Sequence, residues 1–515
     1  MHTVFDVCQP RPDVLKGTIQ ESDFAADLAQ VLRGDAPEEY KDPAKFFSNT
    51  YPTRGLRNLL LNVALRLSNS PEQIGSIFRL DTQYGGGKTH ALIALTHAVQ
   101  GMKGVANAPE FVEIGKLPKE SVRIAAYDGE NADPANGRKM SAKVRAYTPW
   151  GELAFGLGGE AGYRLVEKGD QSGIAPGAET LRELLGDKPC LILLDELSVY
   201  LRKLSGQATT TAAGQLTAFL TSLIKAVESS PKAALVYTLA LGKDGRATDA
   251  YSQETQSIAS FMAEAGSVSA RKATLLDPTE EDETVKVLCC RLFSSIDADK
   301  AKAVVADYKR IWDAQKDLLP KPAAHDRRFE EFESGYPLHP ELIATLTNKI
   351  STLGNFQRVR GMLRLLARTV AHLWKQRPAD AHAIHLHHLD LAHEPIRQEI
   401  VTRLGQNQLV PAIKAEVAAH AGEQPALAQD LDAQHYAGLP PYGSYVARCV
   451  LFHTLAFNDA LRGLTTEELR YSIISRPPIS ASLKMPASAL SPIPRISMTG
   501  PTFRCVSWPR PTSRR

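Results

Sequence analysis

The apolar positions of this chain change rhythm along its length. Between residues 77 and 276, short continuous apolar runs alternate with longer amphipathic stretches. Cys190-Leu191-Ile192-Leu193-Leu194 is unbroken, the pattern of a strand buried on both faces of a parallel sheet. Ile77-Phe78-Arg79-Leu80, Val122 to Tyr127, Ala234 to Leu239 and Ala273 to Leu276 read as its neighbours. Helical spacing separates them, as in Ala91 to Val99 and Leu216 to Val227. Five strands alternating with helices predict a three-layer α/β domain.

Beyond Asp277-Pro278 the pattern becomes mostly helical. From Asn355 to Arg368 the leucines fit one buried face, while Arg360, Arg364 and Arg368 recur at helical spacing. A solvated basic face is expected for Arg364 and Arg368. Gly443 to Tyr471 predicts two helices joined near Arg462-Gly463, which a third helix and a β-wing would turn into a winged helix. The expected division is an N-terminal segment at 1–60, an α/β core at 61–277 and a helical region at 278–376. A further helical region at 377–475 and a tail at 476–515 complete it.

The chemistry is concentrated where strands end. Asp81-Thr82-Gln83-Tyr84-Gly85-Gly86-Gly87-Lys88-Thr89-His90 lies between an apolar run and a helical stretch. Strand, glycine loop, Lys-Thr and helix are the context of a P-loop. Gly85, Gly86 and Gly87 let the backbone turn its N–H groups toward phosphates, and the helix N-terminus adds positive potential. Lys88 is the candidate for the β/γ-phosphates, and the Thr89 hydroxyl for Mg²⁺. His90 completes the segment assigned to ATP. Thr82 stands where a P-loop usually has its first glycine, so the entry to the loop departs from the pattern.

The Cys190 strand ends in Asp195-Glu196, where ligands bind in open parallel sheets. Asp195 is expected to hold Mg²⁺, and Glu196 to orient and deprotonate the attacking water. Thr238 ends the next strand and is a candidate contact to the γ-phosphate or the water. Arg358 or Arg360 is expected to reach the γ-phosphate and stabilise charge as ATP is split.

Composition narrows the picture. No apolar run reaches the length of a membrane helix, and Met1 to Asp6 carries no secretory pattern, so a cytoplasmic protein is expected. The six cysteines show no Cys-x-x-Cys spacing. His382, His385, His387, His388 and His393 cluster without a His-Glu-x-x-His spacing, so a metal site there is not favoured. The formal charge of +3 comes from the tail, where Arg476 to Arg515 holds seven Lys/Arg, eight prolines and no acid. Without it the body is mildly acidic and does not support a nucleic-acid partner.

The tail reads either as a disordered Pro/Ser-rich extension or as frameshifted text. The frameshift is preferred. In the shifted frame Met485-Pro486 and Trp508-Pro509 each become Ala and Met498-Thr499 becomes Asp, and one of the many texts that the free bases allow has helix-like periodicity. The natural protein is then expected to continue past residue 515.

Several stretches resemble a family of large bacterial P-loop ATPases, domain-of-unknown-function family 499. They include Pro12-Asp13-Val14-Leu15, Tyr51-Pro52-Thr53, the Gly85 to His90 segment, Thr148-Pro149-Trp150-Gly151 and Leu194-Asp195-Glu196. Tyr336-Pro337-Leu338-His339-Pro340 and Phe356-Gln357-Arg358-Val359-Arg360-Gly361 follow. The resemblance spans residues 4 to 475. It implies an AAA+-like core followed by a helical lid, and genes beside DNA methyltransferases in phage-defence clusters. The expectation is an ATPase motor or switch whose partners are a DNA methyltransferase or other defence proteins, and a second copy of the chain. The rivals are an ATP-gated scaffold with little turnover and a DNA translocase.

Overall fold

The computed structural model describes residues 1–16, 27–72, 74–81, 87–204, 209–239, 274–278, 281–353, 356, 358–456 and 463–475. The expectations for the tail, for the third helix and β-wing, and for Arg462 lie outside them, whereas the two helices expected between Gly443 and Tyr471 are found at Tyr442–Thr454 and Thr466–Ile473. Two compact units form, Met1–Phe24 with Val285–Arg515, and Ala25–Thr284. The first sixty residues are thus shared between the two units.

The Ala25–Thr284 unit is α/β. Its sheet contains β1 (Ile77–Asp81), β2 (Arg123–Asp128), β3 (Cys190–Asp195), β4 (Ala233–Leu239) and β5 (Thr274–Leu276). The order is β2-β3-β4-β1-β5, and every neighbouring pair is parallel. All six residues of β3 are buried, as its unbroken apolar run predicts.

Alternation along the strands builds two apolar layers. Cys190, Ile192 and Leu194 pack on one side with Ala125, Tyr127, Leu235 and Tyr237. Leu191 and Leu193 pack on the other with Phe78, Leu80, Ala234 and Val236. This second layer is covered by α1 (Arg54–Leu67) and α2 (Lys88–Val99). The first is covered by α3 (Pro149–Ser172), α4 (Leu197–Leu204) and α5 (Thr209–Glu228). Continuing the alternation by one residue places Asp128, Asp195 and Thr238 on the α1/α2 face.

Two of the sequence motifs are helix starts. Thr53 caps α1 by accepting from Leu56 N at 3.2 Å, and its hydroxyl donates to Pro278 O at 2.6 Å. Thr148 caps α3, with Pro149 in the first turn where its missing N–H costs nothing. Gly151 follows because a Cβ there would stand 2.1 Å from Asp170 Oδ1. That carboxylate is fully occupied, accepting from Tyr147 N, Thr148 N and the Tyr163 hydroxyl.

The other unit is mainly helical. Cys8–Pro10 pairs antiparallel with Phe293–Ile296, and Val4 N donates to Ala381 O at 2.8 Å. Trp312, Tyr308 and Phe332 are the large side chains at its centre. Helix α6 (Arg358–Gln376) departs from the expected single buried face, because residues 361–367 are all buried. Arg364 is 2% exposed and pairs with Glu399 at 3.2 Å, and Arg368 reaches the same carboxylate at 3.1 Å. The solvated basic face expected for these two arginines is therefore corrected. An acid from a distant segment compensates their charge inside the protein.

Of the histidine cluster, His382, His385, His387 and His388 are also interior, while His393 is half-buried. His339 and His385 stack at 4.2 Å, and His387 stacks on Tyr445 at 3.9 Å. Burial pushes His385 down to about 4, and holds His339, His387 and His388 well below the usual imidazole range. These are neutral core imidazoles. Among the described residues no group of three or more His, Cys, Asp or Glu is arranged to hold a metal ion. The five described cysteines are free. No described helix is long and apolar enough to cross a membrane.

Candidate functional site

The site is assembled where β1, β3 and β4 end. After Asp81 the positions of Thr82, Gly85 and Gly86 lie outside the described residues. The chain is described again at Gly87, whose φ of 85° is a conformation open to glycine and rarely to L side chains. Lys88 then opens α2 and is buried. The first N–H groups of that helix have no partner within it, which makes this end a natural place for an anion.

Thr89, in the first turn, donates its hydroxyl to Asp195 Oδ2 at 2.7 Å. Thr238 donates to Asp195 Oδ1 at 2.5 Å. One carboxylate therefore joins α2, β3 and β4. Thr238 also lies 3.4 Å from the Glu196 N–H, which donates to it. Three residues singled out on separate stretches of sequence meet in one cluster, with Glu196 next in the chain.

Glu196 stands apart in its backbone. Its φ is 50°, unusual for a residue with a side chain. The conformation turns the chain out of β3 and directly into α4. Residue 129 on the neighbouring strand end makes this turn sterically feasible. A Cβ on Gly129 would stand 2.0 Å from Glu196 O.

Asp128 is a member of this cluster that the sequence reading did not single out. It is the Cα partner of Asp195 across the β2–β3 ladder. Burial, with the Asp195 charge beside it, pushes its carboxyl up to about 6. Asn131 Nδ2 donates to it at 2.6 Å and Glu130 N at 2.9 Å. An acid immediately after the apolar run Val122 to Tyr127 was the available signal.

His90 is placed elsewhere. Its ring stacks on Phe46 at 4.4 Å, and its Nε2 lies 2.8 Å from the Thr50 hydroxyl. The side chain of Arg358 lies outside the described residues. Arg360 is half-buried on α6, in the other compact unit.

The donor set can be tested against Mg²⁺. A hydroxyl and a carboxylate facing each other are hard oxygen donors of the kind Mg²⁺ takes, together with water and substrate phosphates. Such an ion needs one or two protein ligands, not a cage of three or more acids. Thr89 and Asp195 fit.

The chain is thus an α/β protein with a five-stranded parallel sheet and a hydroxyl–carboxylate cluster at its carboxyl edge. Residues 5–269 match the DUF499 N-terminal domain, and residues 279–465 match the DUF499 second domain. The chain belongs to the DUF499 family. No curated protein matches it.

Proposed function

We propose that this protein binds and hydrolyses ATP, as an AAA+-like motor or switch subunit of a DNA-modification or phage-defence system. The carrying observation is the meeting of Thr89 and Thr238 on the two oxygens of Asp195, at the N-terminus of α2. P-loop chemistry needs this convergence of a helix start carrying Lys-Thr with an acid at a strand end. In this reading the residues around Gly87 and Lys88 hold the phosphates. Thr89 and Asp195 would hold Mg²⁺, which when bound neutralises phosphate charge. Glu196 accepts a proton from the attacking water, and Thr238 orients the groups around it.

The defence context rests on the family resemblance alone. Partners in that reading are a DNA methyltransferase or other proteins of the same complex, and a second copy of the chain. Arg358 or Arg360 remains the proposed source of positive charge at the γ-phosphate.

The test is phosphate release from ATP by the full chain, beside Lys88→Ala and Glu196→Gln, with and without duplex DNA. Loss of turnover in both variants, with ATP still bound by Glu196→Gln, is the expected result. ATP binding without turnover in every condition would move the assignment to an ATP-gated scaffold. Turnover dependent on DNA and sensitive to salt would favour a translocase.

A further inference from the structure

The strained turn at Glu196 is held from a second strand, and the hold is made by a side chain outside the phosphate site. Gly129 N donates to Asp195 O at 3.0 Å, which ties the end of β2 to the end of β3. On the far side of the turn, Val199 N and Tyr200 N donate to Glu196 O at 3.0 and 3.4 Å. Helix α4, which starts directly after Glu196, carries Lys203. Its ammonium donates to the carbonyls of Glu130 and Ala132, the latter at 2.8 Å. Both carbonyls belong to the segment that follows β2. The β2 exit is therefore bonded to the chain on both sides of Glu196, before it through Gly129 and after it through Lys203.

We infer that Lys203 and Gly129 are positioning residues for Glu196, clamping its turn against the β2 exit so that the carboxylate is held ready for water. This rests on the ATPase reading of the same site. A non-glycine residue at positive φ persists when its surroundings over-determine it. Here the surroundings are the two main-chain bonds to Glu196 O, the Gly129 bond and the Lys203 bridge. Lys203 is itself exposed, and its bonds to two carbonyls are charge-assisted. Its removal opens no cavity and leaves no buried charge, so the turn loses its restraint while the fold keeps its core. Gly129 acts by contact, since any side chain there drives into the Glu196 carbonyl.

The experiment compares the full-length wild type with Lys203→Ala, Lys203→Arg and Gly129→Ala, reading kcat and the affinity for a fluorescent ATP analogue separately. Lys203→Ala is expected to lower kcat about tenfold with analogue affinity and unfolding midpoint unchanged. Lys203→Arg, which keeps a cation able to reach both carbonyls, is expected to restore most of that loss. Gly129→Ala should cost about a hundredfold in kcat. In a Glu196→Gln background, Lys203→Ala should add nothing, because the group it positions is gone.

The inference is overturned alone if the wild type turns over and Lys203→Ala matches it, or if the variant loses affinity and kcat together. A wild type that binds the analogue without releasing phosphate overturns the ATPase reading and this inference with it.

Discussion

Thr238 donates its hydroxyl to Asp195 Oδ1 at 2.5 Å, while Thr89 occupies the other oxygen of the same carboxylate at 2.7 Å. Thr238 is buried at the end of β4, which lies between β1 and β3 in the sheet. Its β-branched side chain suits a strand, but its hydroxyl is what fixes the orientation of Asp195. The Glu196 N–H points at the same oxygen.

Removing that hydroxyl without changing the side chain's shape isolates its role. Under the proposed ATPase function, Thr238→Val is expected to retain ATP and the fold but lose about tenfold in turnover, with more Mg²⁺ needed for half-maximal rate. Thr238→Ser should stay near the wild type. Phosphate release across a Mg²⁺ titration checks both.

Much of the sheet could be read from the sequence because its strands bury both faces. A continuous apolar run such as Cys190 to Leu194 admits few alternatives, and its flanking acids marked where the strand ends. The smaller pairing of Cys8–Pro10 with Phe293–Ile296 gave no such signal. Strands of three and four residues have too few positions to show alternation, and their partner lies far along the chain. Asp128 joined the site unnoticed for a related reason. A lone acid after a strand ordinarily means solubility, and only the β2–β3 register sets it beside Asp195. Arg364 went the other way. Helical spacing showed a basic row, but the acid that lets it enter the core, Glu399, sits on a separate helix.

Glu399 is the centre of that arrangement, and its removal should be costly. The carboxylate is 5% exposed and faces Arg364, Arg368 and Arg403. Breaking a buried pair from one side leaves an uncompensated charge, at a cost of about 3–5 kcal/mol. Glu399→Leu is therefore expected to lower stability by that amount, with Arg364 as the stranded cation. Urea unfolding followed by circular dichroism measures it, and a loss no larger than that of an exposed pair would refute the assignment.

Gly361 answers to a different constraint. A Cβ at that position would stand 1.7 Å from Phe356 O, so the helix can start so close to Phe356 only without a side chain there. Gly361→Ala is expected to destabilise this unit by about 3 kcal/mol, since the clash is with backbone and cannot be relieved by a rotamer change. Gly34→Ala offers the contrast: nothing lies within reach of its Cβ, and the penalty there is only that of its positive φ. Paired unfolding curves for the two variants compare the effects.

Acid should weaken the helical unit through its imidazoles. His339, His385, His387 and His388 are buried, and burial lowers the affinity of each for a proton below that of an exposed histidine. The unfolded chain therefore binds more protons than the folded one, and stability must rise with pH across the window where they differ. The contribution is fully present above the ordinary histidine value of about 6.5, and it is lost as pH falls from there toward the folded values. For His385 that lower bound is about 4. Between pH 6.5 and 5, each imidazole that stays neutral in the folded state costs about 2 kcal/mol of stability. Unfolding midpoints measured from pH 8 to pH 5 should stay level to about 7 and then fall. His387→Phe preserves the stacking on Tyr445 and removes one of the protonatable rings, so its curve should fall less steeply. A midpoint that holds constant to pH 5 would mean that these rings take up protons in the folded protein as readily as in the unfolded chain.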